Sequence, residues 1–276
     1  MNYDWAYVIL GGVDMETQVA KFKRVKLFQF GENEAFFEVR QLLNKMAIEC
    51  VDQEEEAELI LVLGGDGTML HQAKIAHQYQ IPILGINLGH LGFLAALEHS
   101  DQEGLIDILN GEYIEDSRPI LNCMLNKQSY FAINEFMVCK DKATRMVSYD
   151  LYIDDEFVYQ QRGDGIIVST STGSSAYARS AGGAIIHPKA AVMNIVPICS
   201  SKMTTGPMII SESSTVEIRV KPWKDGKAMF AVDAQDILEE TQSIKIHMDK
   251  NRVRFLHPLH YNYYRTLQTK LSHGEL

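Results

Sequence analysis

Asp66 stands among glycines in Gly64-Gly65-Asp66-Gly67, directly after the apolar run Leu59–Leu63. In an open α/β sheet, ligands bind beyond the carboxyl ends of the strands. A carboxylate held there faces whatever ligand the loop admits. The glycines permit unusual backbone angles and close approach of a ligand, although Asp-Gly is also an ordinary turn. No Walker lysine follows, which excludes the ordinary P-loop, and the Gly-x-Gly-x-x-Gly pattern of dinucleotide oxidoreductases is missing. A second glycine loop, Asn87–Leu94, follows the next apolar run, with Asn87 and Gly89 expected to shape the rim of a pocket and Leu91, Phe93 and Leu94 to pack inwards.

Three further polar groups interrupt apolar surroundings. Asn134-Glu135 splits Phe131–Val138, and a carboxylate there is costly if buried without a partner. A bulge that turns both side chains into a cleft is one reading; an edge strand with one wet face is the other. Arg162-Gly163-Asp164-Gly165 reads as a turn before a strand. The hydroxyl-rich run Ser169–Ser175 surrounds Gly173 and leads into Ala176-Tyr177-Ala178-Arg179-Ser180. Hydroxyls and free amides at a helix start suit a phosphate or nucleotide, where simple capping would need only one. Ser174 lacks the nucleophile-elbow pattern of an acyl-transfer serine. The histidines show no metal-ligand spacing and read as surface or capping groups; the acidic run Asp52–Glu58 reads as a solvated connection.

These groups need elements to hold them. Strands are predicted at Val25–Phe30, Leu59–Leu63 and Ile81–Ile86, with helices at Ala35–Met46, Thr68–Tyr79 and Glu103–Asn110, the last stopped by Gly111. The continuous apolar strands are what a parallel sheet requires. Beyond Tyr113 the pattern changes to period two, with strands at Ile120–Leu125, Ser129–Val138, Met146–Ile153, Glu156–Gln161, Ile166–Ser169, Val192–Ile198, Met208–Ile210, Thr215–Val220, Ala228–Val232 and Ser243–Asp249. Asp154-Asp155 and Asp225-Gly226 mark turns. The fold class expected is an α/β, Rossmann-like N-terminal domain with a mostly β C-terminal domain. The N-terminal domain covers residues 1–115 and is rejoined by the tail 256–276; the strand-rich domain covers 116–255. Trp5–Leu10 suggests a short strand and Gly11-Gly12 a turn, but residues 1–23 have no evident role.

The chain has 276 residues, 46% apolar and 22% charged, enough for two domains with sizeable cores. Its formal charge of −10 argues against a nonspecific nucleic-acid binder. No run of 18 apolar residues suggests a membrane span, and the N-terminus lacks the basic start of a signal peptide. Four dispersed cysteines, Cys50, Cys123, Cys139 and Cys199, read as reduced, mostly buried thiols in a cytoplasm.

Five of these motifs, in this order and spacing, resemble those of bacterial NAD kinases: Gly64–Thr68, Asn87–Phe93, Asn134-Glu135, Arg162–Gly165 and Ser169–Tyr177. The resemblance covers about Arg24 to Leu271 and implies an NAD kinase/diacylglycerol kinase-like architecture. It implies transfer of the ATP γ-phosphoryl group to the 2′-hydroxyl of the adenosine ribose of NAD, giving NADP. It implies Mg²⁺ or another divalent cation and ATP or polyphosphate as donor. By the same resemblance Asp66 is the proposed general base, and Gly64, Gly65 and Gly67 contact phosphates. Asn134 and Glu135 hold the ribose, while Arg162 and Asp164 belong to the NAD site. Thr172, Ser175, Ala176, Tyr177 and Ser180 line it, with Tyr177 against an adenine ring. A homodimer or homotetramer assembled through the strand-rich domain is implied as well. The chain departs from the pattern in three places: Ser171 replaces a usual proline, Ser175 a common threonine, and Ala234 a glycine or histidine. A related lipid or sugar kinase and a noncatalytic NAD- or NADP-binding regulator are the competing readings. The expected site is the cleft between the two halves.

Overall fold

The computed structural model describes residues 20–31, 34–89, 92–95, 97–125, 127–141, 146–202, 205–221, 228–234, 236–238 and 242–272. The readings at Trp5–Leu10, Gly11-Gly12, Leu91 and Asp225-Gly226 lie outside them.

The N-terminal part runs β1 (Arg24–Gln29), α1 (Glu34–Lys45), β2 (Glu49–Cys50), β3 (Leu59–Leu63), α2 (Asp66–Tyr79), β4 (Ile83–Asn87), β5 (Leu97–Glu98), α3 (Gln102–Asn110) and β6 (Ile114–Arg118). The middle contributes β7 (Leu121–Leu125), β8 (Gln128–Ala132), β9 (Glu135–Lys140), β10 (Val147–Ile153), β11 (Glu156–Gly163), β12 (Gly165–Ser169) and the single turn α4 (Tyr177–Ser180). There follow β13 (Val192–Ile198), β14 (Met208–Ser211), β15 (Thr215–Val220), β16 (Ala228–Val232), β17 (Asp236–Leu238), β18 (Ser243–Met248), β19 (Val253–His257) and α5 (Tyr263–Ser272).

The first sheet has the order β2-β1-β3-β4-β19-β6, with β5 beside β4. β1, β2, β3, β4 and β19 pair in parallel, and β6 closes the edge antiparallel to β19. All five residues of β3 are buried because helices cover both faces. On one side Leu59, Leu61 and Leu63 meet Val39 and Leu43 of α1 and Leu105 and Ile108 of α3. On the other, Ile60 and Val62 meet Met69 and Ala73 of α2. Gly111 ends α3 at φ +103, a left-handed cap that suits glycine.

The second sheet (β11-β10-β15-β18-β7-β8) and the third (β14-β13-β12-β9-β16-β17) are antiparallel throughout. Their inner faces meet in one core, where Tyr149, Leu151, Val216 and Ile218 of the second pack with Phe136, Val138, Ile166 and Phe230 of the third. Alternation along each strand produces this sandwich. β12 is buried on both faces because the segment around Ala178 covers its outer side. Asp154 and Asp155, at φ +52 and +63, form the tight turn expected between β10 and β11.

Two expectations are corrected. Ser129–Val138 is not one bulged strand: the chain leaves the second sheet after Ala132 and enters the third at Glu135. Arg162–Gly165 is likewise a passage from β11 in the second sheet to β12 in the third. Cβ atoms at Gly163 and Gly165 would lie 2.7 Å and 2.3 Å from the carbonyl oxygens of Ile198 and Val138, so the passage is too tight for side chains. The cysteines are unpaired, but only Cys123 is buried; Cys50 and Cys139 are half-buried and Cys199 is exposed.

Phe255, from β19 near the end of the chain, is 1% exposed and packs in the cluster containing Ile60, Met69 and Ile83. Phe255→Ala should therefore destabilise the protein by about 3–5 kcal/mol in urea unfolding followed by circular dichroism. A loss below about 1 kcal/mol would show that β19 is dispensable to the first sheet.

Candidate active site

β3 delivers the chain to Gly64, whose amide donates to the Ile86 carbonyl at 2.9 Å. A Cβ on Gly64 would stand 2.8 Å from Thr68 Oγ1, and its φ of +158 adds to the strain on any larger residue. Helix α2 begins at Asp66, two residues earlier than its periodicity suggests, which puts the carboxylate in the first turn at the positive helix end. There Asp66 Oδ2 accepts from the Phe93 amide at 3.0 Å. Its Oδ1 accepts from Leu94 at 3.0 Å and Ala95 at 3.4 Å. The two glycine loops are thus clamped together by one side chain. Gly92 is obligatory for this contact, since a Cβ there would lie 2.0 Å from Asp66 Oδ1. Asn87 Oδ1 accepts from the Gly89 amide at 2.8 Å and shapes the second loop as expected; Leu94 is buried and Phe93 half-buried.

The passage between sheets at residues 133–135 is organised by a carboxylate from the far end of the chain. Asp233 Oδ1 accepts from the amides of Asn134 (2.7 Å) and Glu135 (3.1 Å), and Oδ2 from that of Ile133 (3.1 Å). Lys74 of α2 reaches Asp233 Oδ2 at 3.3 Å, so the helix that begins with Asp66 is tied to the Asn134-Glu135 turn. Burial pushes the Asp233 carboxyl upward, while Lys74 and the three amides favour its charged form. Asp233 and Ala234 both adopt left-handed φ, +51 and +52. From the opposite side Thr170 donates its hydroxyl to the Ile133 carbonyl at 2.7 Å, and a Cβ on Gly173 would stand 2.2 Å from the Asn134 carbonyl oxygen.

Glu135 is 3% exposed. Burial, reinforced by the Asp233 charge, pushes its carboxyl up to about 8, so it is largely protonated at neutral pH. Asn134 is half-buried. The two side chains therefore do not share one wet face.

The hydroxyl run is more structural than its composition suggests. Thr170 also accepts from the Gly173 amide at 2.9 Å. Ser171 donates to the Pro188 carbonyl at 2.8 Å, and Ser174 donates to the Ser171 carbonyl at 2.7 Å while accepting from the Ile186 amide at 2.9 Å. These three are buried and occupied within the fold, and the four-residue α4 supplies no extended helix start. That corrects the reading of a long phosphate-holding run. Ser175 and Ala176 are half-buried, and Tyr177 and Ser180 exposed, so these are the members of the segment open to a ligand. Thr172 accepts from Arg118 at 3.4 Å; Arg118 donates in turn to Asp116 at 2.6 Å. Burial works against the charged form of Asp116, but His257 and Arg118 outweigh it and hold the carboxyl at about 2. Burial keeps His257 below the usual imidazole range.

Arg162 and Asp164 sit elsewhere. Asp164 pairs with Lys140 at 2.7 Å, and Arg162 is exposed on β11. Ser169 lies opposite Glu135, while Gly165 lies opposite Cys139. Five strand positions separate Asp164 from Ser169, about 17 Å at about 3.3 Å each. Asp164 is therefore at the other end of the third sheet from Glu135, and Arg162 lies on β11 of the second sheet.

Lys74, Arg118 and Asp233 had no sequence signal as site residues, apart from the position of Asp233 before Ala234. His77 and His257 are buried, against the expectation of surface histidines; His77 Nε2 lies 3.3 Å from Asp249. Lys74 also lines a groove of about 880 Å³ with His71, Tyr130, Phe131 and Lys250. Among the described residues no three His, Cys, Asp or Glu side chains converge as a metal cage.

Comparison with known proteins covers nearly the whole chain. The family profile described as the ATP-NAD kinase N-terminal domain matches residues 15–113, and that of the ATP-NAD kinase C-terminal domain matches residues 133–257. A protein named NAD kinase from Azoarcus sp. is 40% identical over 221 residues, 78% of this chain and 75% of that protein. One from Laribacter hongkongensis is 34% identical over 224 residues, covering 79% and 77%. Among solved structures, yeast NADH kinase complexed with NADH superposes with a TM-score of 0.80 at 19% identity, over 94% of this chain and 93% of that one. An NAD kinase from Archaeoglobus fulgidus in complex with ATP gives 0.77 at 24% identity, over 90% and 98%. At these identities the two structures establish the fold.

The raised carboxyl of Glu135 predicts a pH signature. Its ordinary value is 4.5 and its folded value about 8. Between the two, the unfolded chain releases this proton and the folded one keeps it, so Glu135 lowers stability as pH rises from 4.5 to about 8. Glu135→Gln lacks that slope. In urea titrations at intervals from pH 5 to 8, the variant should gain on the wild type as pH rises. A stability difference independent of pH would contradict a protonated Glu135.

Proposed function

The chain belongs to the NAD kinase family, and we propose that Asp66 acts as general base while the γ-phosphoryl group of ATP passes to the 2′-hydroxyl of the adenosine ribose of NAD. The protein is an enzyme, a kinase that phosphorylates NAD. The observation that carries the assignment of roles is the Lys74–Asp233 bridge, which couples the helix headed by Asp66 to the Asn134-Glu135 turn. A ribose hydroxyl is a weak nucleophile, and a carboxylate that accepts its proton as the new P–O bond forms lowers the barrier. Asp66 has room for this. A carboxylate offers about four acceptor positions, and three are occupied by the Phe93, Leu94 and Ala95 amides. Those bonds also fix the direction of the remaining lone pair on Oδ2. In phosphoryl transfer, alignment of this kind and neutralisation of charge supply most of the catalysis.

Asn134 and the neutral carboxyl of Glu135 would hold the ribose: a protonated carboxyl can donate one hydrogen bond to a hydroxyl and accept another. The turn Gly64–Gly67, exposed at Gly65 and Gly67, would approach the phosphate oxygens. Ser175, Ala176, Tyr177 and Ser180 would line the adenine side, with Tyr177 supplying a ring face. A divalent ion would travel with the donor phosphates and neutralise their charge, as Mg²⁺ does with few protein ligands and several waters. The same reading covers ATP or polyphosphate as donor and a cytoplasmic location. It also groups the Gly64–Gly67 turn with that of the diacylglycerol kinases. Among the described residues no helix is long and apolar enough to cross a membrane.

Because Asp164 lies about 17 Å from the Glu135 end of the third sheet and Arg162 belongs to a strand of the second, the proposal includes their use across a subunit boundary in a homodimer or homotetramer. Light scattering at micromolar concentration should give a multiple of the 31.2 kDa chain mass; an active 31.2 kDa monomer would rule this part out. For the base, Asp66→Asn should lower kcat by about 10²–10⁴-fold with NAD affinity changed only a few-fold. Near-normal turnover of the folded variant would remove Asp66 from that role.

A further inference from the structure

Three residues stand side by side across three neighbouring strands of the third sheet. Ser169 of β12 is opposite Glu135 of β9 on one side and opposite Asn194 of β13 on the other. Directly opposed residues of an antiparallel pair share a face, with Cβ atoms about 5 Å apart. The face is the outer one. Their chain neighbours Phe136, Val168 and Ile195 point into the sandwich core. The residues two positions along, Met137, Ile167 and Val196, pack under Ala178 and Ala181. A Cβ on Gly183 would lie 3.0 Å from Asn194 Nδ2. The row Glu135–Ser169–Asn194 is thus roofed by the segment that carries Ala176, Tyr177 and Ser180.

The row is polar where its surroundings are not. Glu135 is 3% exposed, and Ser169 and Asn194 are 0% exposed. Glu135 Oε2, Ser169 Oγ and both amide atoms of Asn194 have no hydrogen-bond partner among the described residues. Buried polar atoms are ordinarily satisfied, and each exception needs a reason. Four in one row, offering both donors and acceptors, make the kind of lining that orders buried water, which takes two to four polar partners.

We infer that Ser169 and Asn194 are positioning residues for Glu135: through buried water they fix the orientation of its carboxyl beneath the nucleotide segment. This rests on the reading of Glu135 as a ribose ligand. The groups facing Glu135 are few. The turn after β16 brings Asp233, itself bonded to Lys74 of α2. The titratable groups of α4, Tyr177 and Arg179, are exposed. Neither β12 nor β13 brings a titratable group within the row. The raised carboxyl of Glu135 agrees with this setting, since the row supplies dipoles but no positive charge.

The discriminating variant is Asn194→Leu, which keeps the shape and removes two polar atoms that the buried water would meet. Loss of those bonds should lower the melting temperature, an effect that a merely structural asparagine would share, so the deciding readouts are kinetic. The kcat of Asn194→Leu should fall about tenfold through loss of alignment, with KM for ATP unchanged. The Glu135-dependent limb of its pH–rate profile should move by up to about one unit to higher pH, as a carboxylate with fewer polar neighbours is harder to ionise. Ser169→Ala should give a smaller change in the same direction, and it decides the matter if Asn194→Leu does not fold. In a Glu135→Gln background neither substitution should alter NAD affinity or residual turnover further. Wild-type kcat and pH profile in folded Asn194→Leu would overturn the inference, as would a tenfold loss that persists in the Glu135→Gln background. Wild-type turnover in Glu135→Gln alone would instead overturn the role of Glu135, and with it the inference.

Discussion

Asp233 is a carboxylate whose side chain has no exposed surface. A charge in that position survives only if donors surround it, and the chain brings it three amides and an ammonium. The amides are those of Ile133, Asn134 and Glu135, where the chain passes from one sheet of the sandwich to the other. Without an acceptor at that point the passage would bury three unpaired N–H groups. The ammonium belongs to Lys74, two turns along the helix that Asp66 begins. One side chain therefore satisfies the passage between sheets, presents Asn134 and Glu135, and joins the sandwich to the α/β part. Removing it would deprive the three amides of their acceptor and break the link to Lys74 in one step.

A similar economy runs through the other anchors. Asp66 accepts amides from the second glycine loop much as Asp233 accepts those of the sheet passage. Thr170 and Ser174 hold their segment by accepting and donating at once. In each case a side chain substitutes for a missing secondary-structure bond at a place where the backbone must leave its ladder. In the proposed function the groups that meet the ligand are a lone pair on Asp66, the Asn134-Glu135 pair and the exposed part of 175–180. Rigid surroundings with a small number of available polar groups are what alignment of a hydroxyl for phosphoryl transfer requires.

Much of this was legible beforehand, and the limits have a physical origin. Leu59–Leu63 could be read as an inner parallel strand because it is apolar on both faces, and Asp154-Asp155 as a tight turn because the twist of a hairpin demands left-handed residues. Gly64–Gly67 could be read locally only as a glycine turn after a buried strand, with a ligand loop and an ordinary tight turn both open. Asn134-Glu135 could be singled out as an interruption, but its cause could not: the acceptor that explains it lies 98 to 100 residues later. The hydroxyl run misled for the same reason. Composition shows how many hydroxyls a segment holds, whereas their use depends on which distant carbonyls, such as those of Ile133 and Pro188, fold against them. Lys74 looked like any exposed cation on an amphipathic helix.

The place of β19 in the first sheet has a consequence for how the protein is made. This strand lies between β4 and β6, and among the described residues β6 pairs with β19 alone. Synthesis delivers β1 to β6 first, and β5 can pair with β4 at Ile86 and Asn87, yet the part of the β4 edge at Ile83 stays open until residues 253–257 have left the ribosome. At about 5–20 residues per second, that is a wait of several seconds or more after β6 emerges. During it the apolar edge that will receive Phe255 is available to other chains, as unpaired strand edges are. In that interval β9, β12, β13 and β14 of the third sheet can pair, whereas β18, which joins β15 to β7 in the second, emerges only just before β19. The sheet that is begun first is thus completed last, and the Gly64–Gly67 loop it supports matures only when nearly the whole chain is present.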